Sequence, residues 1–201
     1  MVNEFLKGTL AHIYSLRYHF IFITVIFFIA AATGYLYGAA DETYSDAIIE
    51  ELGEEFSGLV EQSPPMIVFN IFTRNTALSF MALVSGIAFG LIPLGFITIN
   101  GILIGVIMQM AEEEMGALFV LLAIIPHGIV ELPMVILSSA IGMKLGQELL
   151  CILIDRESNI KEEFIKGIRT FTVLVVPLLF VAAIIEVYIT STIVYILMNM
   201  A

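Results

Sequence analysis

Five long apolar stretches set what this chain can become. They cover about residues 18–37, 66–92, 94–110, 116–139 and 171–198, and charged residues are scarce within them. A helix rises about 1.5 Å per residue and hydrocarbon is about 30 Å thick, so each stretch is able to cross a bilayer, the third at the short limit. Composition agrees: 60% of residues are hydrophobic and 13% are charged, with a mean hydropathy of +1.03. A soluble domain could not cover its surface with so few charges. A net charge of −11 argues against a nucleic-acid partner. The single cysteine, Cys151, excludes an internal disulfide framework.

The expected fold is therefore all-α: a polytopic membrane bundle of about five transmembrane helices, with broken or kinked segments and one external amphipathic helix. Residues 1–201 form one integral membrane domain in this reading. The bilayer is its first partner, and a membrane-complex subunit or a second copy of the chain would be the next. The second and fifth stretches exceed the hydrocarbon thickness, so tilt or a break is expected there. Residues 139–154 are apolar but interrupted by Lys144, Gln147 and Glu148, with Asp155 just beyond, which suggests an amphipathic or partly buried helix on one membrane face.

Basic residues orient the bundle. Lys7 and Arg17 precede the first stretch, while Lys144, Arg156, Lys161, Lys166 and Arg169 fall between the fourth and fifth. Four crossings separate the two groups, so both lie on one side, which the excess of Lys and Arg marks as cytoplasmic. The expected location is the plasma membrane, multi-pass, with a cytoplasmic amino terminus and a retained signal-anchor first helix. Segment 144–169 is then a cytoplasmic loop, and 41–63 an acidic extracytoplasmic loop. Residues 41–61 hold eight acidic groups and no basic one, and Ile48, Ile49, Leu52, Phe56, Leu59 and Val60 recur with helical period. Ser63 followed by Pro64 reads as a helix start.

Glycine and proline supply the next constraints. Gly86 and Gly90, Gly101 and Gly105, and Gly142 and Gly146 each form a G-x-x-x-G pair, a spacing that lets helix backbones approach closely in lipid. Internal packing is the expected use. Pro93 reads as the divide between the second and third stretches. Pro126, Pro133 and Pro177 each remove a helical N–H and suggest breaks at membrane depth.

Polar groups inside the apolar stretches carry the functional signal. His127 and Glu131 stand four residues apart within the fourth, so a helix stacks them on one face. An ionised group at the bilayer centre costs about 2.5 kcal/mol or more, which calls for a partner or a task. Glu186 in the fifth stretch and Asn100 in the third are expected to complete one cluster, with Arg74 and Asn75 nearby. His12 and His19 are read as interfacial. No cofactor is expected. A bound metal ion would be held by His127, Glu131 and Glu186.

Taken together, Asn75, Gly86, Asn100-Gly101 with Gly105, Pro126-His127-Gly128 with Glu131-Leu132, Gly142 with Leu145-Gly146, and Ile185-Glu186 resemble the pattern of the stage II sporulation protein M family. The resemblance covers about residues 69–190. It implies a multi-helix integral membrane protein and, in spore formers, a membrane anchor for two peptidoglycan-degrading proteins; members also occur in organisms that form no spores. The expected function is a non-enzymatic scaffold or subunit of a membrane complex. Two alternatives stay open. One is a permease-like protein moving a cation or small solute through a midplane His/Glu site. The other is an intramembrane metal-dependent hydrolase, against which stand the lack of a second nearby histidine, of H-E-x-x-H and of a Ser or Cys nucleophile motif.

Overall fold

The computed structural model describes residues 2–40 and 62–200. The acidic helix expected at 41–61 lies outside the described residues. All described elements are helical. They are α1 (Val2–Ser15), α2 (Arg17–Gly38), α3 (Pro64–Val84) with a 3-10 turn at Ser85–Ile87, α4 (Leu91–Met115), α5 (Ala117–Leu153) and α6 (Ile160–Thr170). A π-helical turn at Phe171–Val175, α7 (Val176–Ile184), a second π-helical turn at Ile185–Thr190 and α8 (Ser191–Met200) complete the chain. Five helical units among the described residues are long and apolar enough to cross a membrane: Arg17–Gly38, Pro64–Ile87, Leu91–Met115, Ala117–Leu153 and Ile160–Asn199. The protein is an all-α, multi-pass bundle.

Several boundaries differ from the sequence reading for identifiable reasons. The divide between the second and third spans is not Pro93, which is buried near the start of α4. It is Phe89-Gly90, where two consecutive residues take positive φ of 56° and 75°. Glycine adopts that geometry without a Cβ clash. Ser63 is extended with Pro64 at the first helical position, as expected, although the Ser63 side chain makes no capping hydrogen bond. Neither Pro126 nor Pro133 breaks the fourth span: α5 runs through both for 37 residues. The 139–154 stretch is accordingly the continuation of that span. Residues 136–142, together with Leu145 and Gly146, are buried, so of the two readings the partly buried helix holds, as part of the fourth span rather than a separate surface element. The 144–169 loop is likewise largely helical. Its turn is clamped by Glu148, which pairs with Lys144 at 2.8 Å and accepts from Ser158 Oγ at 2.7 Å.

Two glycine seams bring the spans together. Along the α2–α4 seam, a Cβ on Gly101 would lie 2.7 Å from the Phe27 carbonyl oxygen, and one on Gly105 would run into the Ala31 carbonyl. Gly34 answers from α2 against the Ile102 carbonyl. In the second seam, Gly86 abuts Gly142, and Gly146 abuts the Phe89-Gly90 backbone. The apolar core follows the same contacts. Leu16, Leu83, Leu137, Ile141, Leu145, Val175 and Leu179 form one cluster; Ile23, Phe27, Ile97 and Ile136 form another. Outward-facing Ile21, Val25, Phe28 and Ile29 on α2 are exposed, as lipid-facing side chains must be.

Candidate functional site

The polar cluster forms where α3, α5 and the π-helical turn at Ile185–Thr190 meet. His127 and Glu131 share one face of α5. Opposite them the π turn presents Glu186 and Thr190, again four residues apart. One ligand atom from each of His127, Glu131 and Glu186 lies within 4.8 Å of the other two. His127 Nδ1 and Thr190 Oγ1 are 3.3 Å apart. From α3, Asn75 Nδ2 donates to Glu131 Oε1 at 2.8 Å. Arg74 is near enough to act electrostatically on both carboxylates. A π turn carries one extra residue per turn, and such turns recur at functional sites. Here it sets the register that places Glu186 and Thr190 together against α5.

Depth is consistent across the three helices. Counted from the helix ends next to segment 41–61 and its equivalents, Asn75, Glu131 and Glu186 all lie roughly 17–21 Å into the bundle at 1.5 Å per residue. That is near the middle of a hydrocarbon layer of about 30 Å. No group at this level can borrow water from the bilayer interior, so each polar atom depends on its protein neighbours. His127, Glu131 and Glu186 are each half-buried.

Asn100 does not join them. Its Nδ2 donates to the Phe96 carbonyl at 2.8 Å within its own helix, and α4 packs chiefly along α2. The sequence placed Asn100 by depth, and depth alone does not fix which face of a helix it occupies.

The chain matches the family model described as stage II sporulation protein M over residues 23–191. The chain belongs to the stage II sporulation protein M family. An uncharacterised protein of Methanocaldococcus jannaschii is 33% identical over 136 residues, which cover 64% of this chain and 75% of that protein. No solved structure matches the chain. The family match takes in α2 from Ile23, all of α3 to α7 and both π turns, so every member of the cluster falls within it.

A second polar cluster lies at the cytoplasmic end in the orientation expected from the basic residues, and sequence reading missed it. His12 on α1 is only 4% exposed. Its Nδ1 meets Thr170 Oγ1 at 2.7 Å, and its Nε2 meets Glu163 Oε1 at 3.0 Å. The Glu163 carboxyl is held below the usual carboxylate range by the hydrogen bond to His12, against the opposing effect of burial. His12 pins α1 to α6. A signal was present in the spacing. Thr9, His12 and Leu16 fall on one helical face, as do Glu163, Gly167 and Thr170, and all six are buried. His19 is half-buried, with Nε2 2.8 Å from Gln147 Oε1.

Proposed function

We propose that this protein is a non-enzymatic subunit of a membrane complex, seated in the plasma membrane with its amino terminus in the cytoplasm. The observation that carries this reading is the pair of hydrogen bonds that tie the cluster together. Asn75 supports Glu131 and Thr190 meets His127, so the bonds join the fourth span to the second and the fifth. Such a cluster fixes helix register in lipid, as a buried polar residue fixes register in a coiled coil. The glycine seams add rigidity, and a rigid multi-pass body suits an anchor for partner proteins. The partner is a membrane-complex protein or a second copy of the chain, in keeping with the anchoring role that the family resemblance implies.

Tagged protein extracted from its native membrane in mild detergent, cross-linked and weighed by native mass spectrometry tests this. The expected result is a defined assembly heavier than the monomer, preserved in Glu131→Gln, which keeps shape and most hydrogen bonding. A lone monomer from native membranes would remove the basis for a subunit role.

A permease-like role is the second reading, favoured by the π-helical turn that carries Glu186 to mid-depth. Transporters use irregular helices there to bind ions and substrates. Under that reading Glu131→Gln folds yet abolishes flux in reconstituted vesicles, whereas a subunit shows no flux with either side chain.

A further inference from the structure

We propose that His127, Glu131 and Glu186 form a binding site for a divalent first-row transition-metal ion such as Zn²⁺, Mn²⁺ or Fe²⁺. The donor geometry is the first ground. One atom from each residue lies within 4.8 Å of the others, and two donors on one such ion sit at most about 4.2 Å apart with bonds near 2.1 Å. The three side chains must therefore draw together to share one centre.

The groups around the donors are the second ground. Asn75 holds Glu131 through Oε1, leaving Oε2 for an ion. Thr190 stands at His127 Nδ1. With the proton on Nδ1 given to the threonine oxygen, the Nε2 lone pair is directed elsewhere. Metal-binding histidines and carboxylates are ordinarily held by such outer partners, which fix tautomer and orientation. Arg74 acts electrostatically on both carboxyl groups, and an ion between Glu131 and Glu186 would hold the two side chains together.

The donor set selects the class of ion. One imidazole and two carboxylates suit zinc, manganese or iron. Magnesium and calcium favour all-oxygen shells, so the imidazole disfavours both. Three protein donors leave at least one coordination position open, and all three residues are half-buried rather than sealed. The site stands apart from the subunit reading, since a structural ion and a transported ion would use the same ligands.

Metal-stripped full-length protein in detergent, titrated with Co²⁺ and followed by visible absorption, tests the proposal. Saturable ligand-field bands at one ion per chain are expected. Zn²⁺ should displace the ion at micromolar concentration, and Mg²⁺ should fail to do so at millimolar concentration. His127→Gln and Glu186→Gln should each weaken binding at least tenfold, while His19→Gln leaves it unchanged. Protection of wild-type His127 from diethylpyrocarbonate by Zn²⁺, located by mass spectrometry, supplies a readout that needs no variant. Folded wild type without saturable bands would overturn the proposal. So would undiminished binding in folded site variants, or modification of His127 regardless of Zn²⁺. Assembly in the native membrane is scored separately, so loss of the metal site leaves the subunit reading standing.

Discussion

Asn75 Nδ2 donates to Glu131 Oε1 at 2.8 Å, which joins the second span to the fourth at the level where lipid offers neither group another partner. Replacing Asn75 by Leu keeps comparable bulk but leaves Glu131 without this donor. A buried acceptor that loses its partner costs about 1–3 kcal/mol. Asn75→Leu should therefore lower the melting temperature in detergent, and Glu131→Leu made in the same chain should recover part of the loss. Equal stability of wild type and Asn75→Leu would show that the bond contributes nothing.

Glycine positions divide by what faces them. Gly105 and Gly142 stand against the carbonyls of Ala31 and Ala82, whereas nothing lies within 4 Å of a Cβ built on Gly95. Overpacking a close-packed seam commonly costs about 1–3 kcal/mol, and here the obstacle is backbone rather than a movable side chain. Gly105→Leu and Gly142→Leu should broaden or shift the elution profile and lower the melting point. Gly95→Ala should leave both unchanged or raise stability slightly, because alanine favours the helix. The same loss at Gly95 as at Gly105 would contradict the seam assignment.

The His12–Glu163 cluster predicts a pH dependence. Glu163, on the charged helix α6 outside the apolar part of the last span, has its pKa lowered by His12, with smaller contributions from the charges of Lys144 and Lys166. A carboxyl held below its unfolded value stabilises the fold above the ordinary carboxylate range. That contribution fades as pH falls from that range through the lowered folded pKa. Melting curves from pH 7 down to pH 2 should show wild type losing more stability than Glu163→Gln below about pH 4.5, so the two converge in strong acid. Parallel curves would mean that the His12–Glu163 contact does not report on folding.

The spans were legible because lipid imposes length and apolarity on every crossing helix. Irregularities were not, because hydropathy does not register them. Phe89-Gly90 turns the chain through positive φ inside an apolar run. The π turn that carries Glu186 differs from an α-helix in hydrogen-bond register and residues per turn, which hydropathy does not distinguish. His127 and Glu131 were visible since two ionisable groups one turn apart in an apolar run have few benign explanations. Asn100 shared their depth but bonds within its own helix, a distinction that needs packing. Gly34 was overlooked because its small neighbour is Ala30 rather than glycine, although small residues at that spacing serve the same close approach.

Orientation rests on charge and parity. Lys7 and Arg17 flank the start of the first span, and Lys144, Arg156, Lys161, Lys166 and Arg169 lie around the α5–α6 turn. Four helical crossings separate these groups among the described spans, which returns both to the same side. If Lys and Arg are retained on the cytoplasmic face, the 41–61 segment is expected outside. Single cysteines at Asp46→Cys and Ser158→Cys, each in a Cys151→Ser background, should react with an impermeant maleimide from opposite faces. Asp46→Cys is expected to react in intact cells, and Ser158→Cys only after the membrane is opened. Labelling of both in intact cells would break the parity, and with it the placement of the His12–Glu163 contact in the cytoplasm. Labelling of Ser158→Cys alone in intact cells would keep the five crossings and invert the whole bundle.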